Sequence, residues 1–173
     1  MLNFNPSTSV LQAKLQAWCV SMLSILVDAY ELGAVIGRGA CVQVGEETLQ
    51  PDVMFIPTVD RKIVTAGAVR GAPLLAIDLI HSQMPKPERT SLQERYAAAH
   101  VLEYWQLEAD RAHPAFFQAS AEWTYNQIPP DKAGVHFSTA IVELSFPALW
   151  FRSQPDLFTM MSYWGLISDK QEN

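Results

Sequence analysis

Two aspartates stand where acids are costly. Asp78 interrupts the apolar run Leu74-Leu75-Ala76-Ile77-Asp78-Leu79-Ile80, and Asp52 follows Pro51 directly ahead of Val53-Met54-Phe55-Ile56. An ionised carboxylate in a dry interior costs several kcal/mol unless it is paired, hydrogen-bonded or bound to a cation. Two carboxylates on neighbouring short strands are enough to hold Mg²⁺. That ion takes about six oxygens, one or two from carboxylates and the rest from water and substrate phosphate. It polarises a phosphodiester and lowers the pKa of its bound water, and a nearby Lys or Arg stabilises the charge that develops. Alternate residues of a strand share a face, so Ile80 joins Asp78 there and offers its backbone carbonyl as a further metal ligand. Each acid also has a structural reading. Asp after Pro is a common turn residue, and Asp78 could close a buried salt bridge with Arg95 or Arg89.

No other motif competes. His81 follows the acidic strand, while His100, His113 and His136 are scattered without zinc spacing. There is no Gly-x-Ser-x-Gly, phosphate-binding loop or dinucleotide fingerprint, and Gly37-Arg38-Gly39 is too short for a glycine-rich phosphate loop. Cys19 and Cys41 lack metal-ligand spacing and read as buried free thiols. Tyr104 and Trp105 read as core rather than as base-stacking platforms.

The elements that must position the acids follow from hydrophobic periodicity. Ser7-Thr8-Ser9 supplies N-cap chemistry for a helix running through Leu11, Leu15, Trp18, Cys19, Met22, Leu26 and Tyr30 to Gly33. Val35–Val44 reads as a strand bent at Gly37 and Gly39, Val53–Ile56 as a short strand, and Ile63-Val64 as a weak one. After the Leu74–Ile80 strand, a polar loop holds Pro85 and Pro87. Ser91 with Glu94 fits a capping box for a helix to about His100. Tyr104–Leu107, Ala115–Gln118 and Glu122–Tyr125 read as strands, Phe137–Phe146 contains another, and Asp156–Trp164 reads as a terminal helix. This order is mixed α/β, and the strands flanking the Leu92 helix are candidates for a parallel pair joined by a right-handed crossover.

The 173 residues are 49% hydrophobic and 17% charged, which suits one globular domain spanning 1–173. No consecutive apolar stretch reaches the roughly 18 residues of a membrane span, and the N-terminus has no basic region of the secretory type. No membrane association and a cytoplasmic location are expected. The net charge of −6 opposes nonspecific nucleic-acid binding. It is uneven, however. Arg61, Lys62, Arg70, Lys86, Arg89 and Arg95 outnumber Asp78, Glu88 and Glu94, so residues 61–95 carry +3 and the remainder −9. A polyanion is attracted to the first.

Three blocks in order carry a resemblance: Pro51-Asp52-Val53, Gly71-Ala72-Pro73-Leu74-Leu75-Ala76-Ile77-Asp78-Leu79-Ile80, and Tyr96-Ala97-Ala98-Ala99-His100-Val101-Leu102-Glu103-Tyr104-Trp105. The chain resembles the Uma-type putative restriction endonuclease family of the PD-(D/E)XK nuclease superfamily. The family pattern runs Pro-Asp-Val, then Pro-Asp-Leu-Val-Val-Glu-Val-Leu-Ser-Pro-Ser, a Lys-bearing helix start, and Tyr-Ala-x-x-Gly-Val-x-Glu-Tyr-Trp. The likeness extends to Gly134-Val135-His136-Phe137-Ser138 and Leu149-Trp150. It implies a restriction-endonuclease-like fold, a central mixed sheet flanked by helices, with Asp52 as first acid and Asp78 as second. It implies Mg²⁺ or Mn²⁺ as cofactor and nucleic acid, DNA rather than RNA, as partner.

The departures fall on the chemistry. The family Lys aligns with Leu92, the ordinary superfamily Lys position is Ile80, the Ser-Pro-Ser is His81-Ser82-Gln83, and the family glycine is His100. Lys86, between the two prolines, is the candidate substitute. Arg89 and Arg95 could only stabilise charge, because Arg does not lose its proton. Two functions stand: a metal-dependent endonuclease impaired at Leu92, or a catalytically degenerate nuclease fold serving as a binding or assembly module. The second is expected to be a homodimer, with Trp150-Phe151 and Tyr163-Trp164 as an interface.

Overall fold

The computed structural model describes residues 9–167. The first helix, α1 (Val10–Ala29), starts where the sequence places an N-cap: the Ser9 side chain accepts the Gln12 N–H at 3.1 Å. Its stripe Leu15, Cys19, Met22, Leu23, Leu26 and Val27 is buried against a sheet. By length and composition α1 could cross a membrane, a property hidden from the sequence reading because Gln12, Lys14 and Gln16 interrupt its apolar run. Here that stripe is the wall of a core. The helix ends four residues before Gly33, which instead begins β1 (Gly33–Gly37).

The central sheet has six strands in the order β1, β4 (Val53–Pro57), β6 (Leu75–Ile80), β7 (Glu103–Glu108), β8 (His113–Ala119) and β9 (Tyr125–Gln127). Within this sheet the other pairs are antiparallel and the β6–β7 pair is parallel, with Asp78 opposite Gln106. These two strands are joined through α2 (Lys86–Ala98), as the crossover reading expects. A small sheet of β3 (Glu47–Leu49), β2 (Val42–Val44) and β5 (Val69–Arg70) covers one side. The short hairpin of β10 (Val135–Phe137) and β11 (Ser145–Pro147) precedes α3 (Trp150–Ser153) and α4 (Leu157–Tyr163).

Strand alternation sorts the apolar side chains into two cores. Val53, Phe55, Leu75, Ile77, Leu79, Trp105 and Leu107 face α1, while Met54, Ile56, Ala76 and Tyr104 pack with Tyr96, Ala99 and Val101 beside α2.

Several expectations move. Ile63-Val64 is no strand: Thr58–Ile63 is a 3₁₀ helix, and Val64 makes one isolated bridge to Val69. The second helix begins at Lys86, five residues before the expected Ser91 cap, with no side-chain cap at all. Its Pro87 is tolerated because the first turn needs no N–H donor. Glu122 and Trp123 form the β8–β9 turn, where Trp123 has φ +55°, so the strand starts only at Tyr125. Trp150 and Phe151, expected at an interface, are buried in the α1-side core.

Candidate active site

The two acids meet where β4 stops and β6 continues. The Asp52 N–H still donates to the Ile77 carbonyl at 2.9 Å. Beyond that point the ladder is taken over by a side chain, for Asp52 Oδ2 accepts the Leu79 N–H at 2.8 Å. Asp52 is therefore no simple turn residue. Its Oδ1 lies 3.2 Å from Nε of Arg38, which the tight turn after β1 delivers to the site. Burial pushes the Asp52 carboxyl above its ordinary pKa, opposed by the Leu79 N–H and by the Arg38 charge.

Asp78 lies on the α2 side of a strand that is buried along its whole length. Neither expected arginine reaches it. Arg89 pairs with Glu108 at 2.7 Å and Arg95 with Glu47 at 3.0 Å. Two tyrosine hydroxyls hold it instead: Tyr96 donates to Oδ1 at 3.0 Å and Tyr104 to Oδ2 at 2.9 Å, and the two rings stack 4.5 Å apart. Hydroxyls satisfy lone pairs but bring no positive charge. Burial accordingly pushes Asp78 up to about 6; the hydroxyls pull it down, and the Asp52 charge adds to the rise. Burial also raises both phenols, so they stay protonated as donors.

The backbone carbonyl nearest Asp52 is not the expected one. The Ile80 carbonyl is turned toward β7, where it accepts the Ala109 N–H at 2.9 Å. The N–H and C=O of one strand residue point to the same side, so the carbonyl beside Asp52 is that of Leu79. It accepts Gln12 Nε2 at 3.1 Å, and Gln16 Nε2 donates to the Asp52 carbonyl at 2.9 Å. Gln12 and Gln16 are one turn apart on α1, a spacing that hydrophobic periodicity passes over.

Lys86 belongs to a helix rather than to the loop before it. It occupies the exposed first turn of α2 and makes none of the contacts recorded at the two acids. Leu92, at the family Lys position, packs into the α2-side core. His81 is exposed, with Nδ1 accepting the Gln83 N–H and Nε2 lying 3.8 Å from Asp110. Among the described residues, no group of three His, Cys, Asp or Glu side chains gathers around a common point.

Glu103 is a buried acid of another kind. Trp105 Nε1, His136 Nε2, the Ser138 hydroxyl and the Thr139 and Ala140 N–H groups surround it at 2.6–2.9 Å. These donors overcome the cost of burial and hold it below its ordinary pKa. With its lone pairs taken, it ties β7 to the Val135–Ala140 segment and explains why Glu103, Trp105 and His136 occur together.

No protein-family model and no curated protein matches the chain. A solved structure does: a putative nuclease belonging to DUF820 from Anabaena variabilis ATCC 29413. It superposes with a TM-score of 0.68 over 86% of this chain and 84% of that one, at 14% sequence identity. The fold is restriction-endonuclease-like. At that identity the likeness speaks for the order of strands and helices, and the side chains at the site argue for themselves.

Proposed function

We propose that the chain is a nucleic-acid phosphodiesterase in which Asp52 and Asp78 hold a divalent cation, Mg²⁺ or Mn²⁺. The supporting observation is a pair of buried carboxylates, Asp52 held on the N–H of the residue that follows Asp78. Both are raised by burial, Asp52 raises Asp78 further, and the donors to the Asp78 oxygens are two uncharged phenols. A divalent ion would compensate that charge. Hard carboxylate oxygens, with the Leu79 carbonyl beside them, are of the donor type such an ion takes. The likeness in sequence and the likeness in fold point to the same group, DUF820 being the Uma2 family.

When bound, the cation would supply Lewis-acid polarisation of the phosphate and a more acidic water. The chain's own residues do the rest. Tyr96 and Tyr104 fix the Asp78 rotamer, the Leu79 N–H fixes Asp52, and the half-exposed Arg38 guanidinium lies 3.2 Å from Asp52. It can stabilise charge on a phosphate oxygen but cannot serve as a base.

Leu92 favours a second reading. Its side chain is partly buried against the α2-side core and carries no ionisable group, so as Leu the family Lys position supplies neither a proton nor a charge. A fold that binds nucleic acid without cutting it would look the same there. Incubating plasmid and single-stranded DNA with Mg²⁺ or Mn²⁺ separates the two. Cleavage by wild type that Asp78→Asn abolishes supports the phosphodiesterase, and absence of cleavage by both supports the binding module. Equal cleavage by both removes Asp78 from the reaction.

A further inference from the structure

The basic window in the sequence is only partly available to a polyanion, since Arg89 and Arg95 are already paired with Glu108 and Glu47. Cations from outside that window converge elsewhere. Lys14 of α1, Arg111 of the β7–β8 turn and Arg152 of α3 line one cavity of about 280 Å³, together with Leu11, Leu15 and Asp110. They lie far apart in sequence, and all three are exposed. None belongs to an ion pair among the described residues. The lone acid there is turned to other work: Asp110 accepts the Ser82 N–H at 2.8 Å and the Ser82 hydroxyl, with His81 nearby. In a chain of net charge −6, three unpaired cations around one cavity require mutual repulsion to be tolerated. An anion relieves it.

The cavity and the site just described are built on shared elements, α1 and the ends of β6 and β7. Ala109, in its lining, donates to the Ile80 carbonyl at the end of β6. Leu11 and Leu15, from the same turns of α1, flank Gln12, which holds the Leu79 carbonyl. We infer that Lys14, Arg111 and Arg152 form a seat for a backbone phosphate of a nucleic-acid strand, next to the phosphate addressed by Asp52 and Asp78. The phosphate chemistry follows from the cations, while its assignment to a strand rests on the proposed function. Two Arg forks and one Lys suit the oxygens of a phosphodiester, which needs no donor from the ligand.

The test is binding in the presence of EDTA, where cutting plays no part. A labelled oligonucleotide is titrated by fluorescence anisotropy at several salt concentrations. The proteins are wild type, Lys14→Gln/Arg111→Gln/Arg152→Gln, and the charge-matched control Arg61→Gln/Lys62→Gln/Arg70→Gln. The pocket variant is expected to weaken binding about ten-fold or more. It should also flatten the plot of log K against log salt by at least about 0.7, the contribution of one phosphate contact. The control should change far less. All six positions are exposed, and thermal melting of each protein confirms its fold. Equal losses in both triple variants overturn the inference, as does a wild type that binds no oligonucleotide. Competition with inorganic phosphate supplies a further arm: displacement of the strand at matched phosphate concentration would assign the seat to a free anion and overturn the strand. A protein that binds through the pocket but never cuts refutes the phosphodiesterase alone. One that cuts while the pocket variant binds normally refutes this seat alone.

Discussion

Asp78 and Glu103 show how the same group type, equally buried, is driven in opposite directions by its partners. Glu103 receives N–H and O–H donors in excess and is held low; Asp78 receives two phenols, faces a second acid and is raised to about 6. The consequence for stability follows from linkage. An acid raised in the folded state binds its proton more tightly there than in the unfolded chain. The fold therefore carries no penalty from Asp78 below its unfolded value of 3.8. The penalty grows as pH climbs from there toward 6 and is complete above it, at about 3 kcal/mol. Asp78→Asn removes the charge and keeps an acceptor and a donor for the phenols. Urea midpoints should accordingly favour the variant by about 1–3 kcal/mol at pH 8 and converge with wild type near pH 4. A variant weaker by the same amount at both pH values would mean that ionised Asp78 stabilises the fold. The sequence marked Asp78 because an acid broke an apolar run. It gave no sign of Tyr96 and Tyr104, whose hydroxyls reach Asp78 only after the crossover lays α2 and β7 beside it.

At the scale of elements, what was legible had a strong period. The β6–α2–β7 unit announced itself by two apolar runs and a helix between them, and the parallel register follows. The start of α2 did not, because its first turn carries Pro87 and no capping side chain. That shift of one and a half turns puts the Lys86 backbone on helix rather than loop. Leu92 sits on the helix face turned to Met54, Ile56 and Tyr104. Leu92→Lys should cost about 1–3 kcal/mol in urea, since a long side chain must carry its charge out of an apolar setting. If the phosphodiesterase reading holds, the same variant should raise cleavage at least about ten-fold, the lower range for a positioned charge or base. Unchanged cleavage in a folded variant would place the limit elsewhere. The edge strand makes a second case. A Cβ on Gly33 would lie 2.1 Å from the Ile56 carbonyl oxygen of β4. Backbone cannot yield as a side chain does, so Gly33→Ala should destabilise by more than about 2 kcal/mol. It should also loosen β1, whose following turn carries Arg38 to Asp52. Wild-type melting behaviour in that variant would show that β1 is free to shift.

Across the whole molecule, β7 fastens the two cores to one another through the sheet. Its consecutive side chains point to opposite faces: Tyr104 lies in the α2-side core, and Trp105 lies in the α1-side core. Each makes a further polar tie, Tyr104 to Asp78 and Trp105 to Glu103. Opening either face strips packing from the strand on which the other depends, so the cores should not melt separately. The sequence expectation of one domain over 1–173 rested on the absence of a linker, whereas this coupling gives it a physical cause. Urea unfolding followed by tryptophan fluorescence reports mainly the α1 side, where Trp18, Trp105 and Trp150 gather. Far-UV circular dichroism reports sheet and helices together. The two curves should coincide, and Trp105→Ala should shift both midpoints by the same amount, equivalent to about 3–5 kcal/mol. Midpoints that separate, or a Trp105→Ala variant that moves the fluorescence curve alone, would show that the faces fold apart and that the Asp52–Asp78 pair sits on a seam between two independent units.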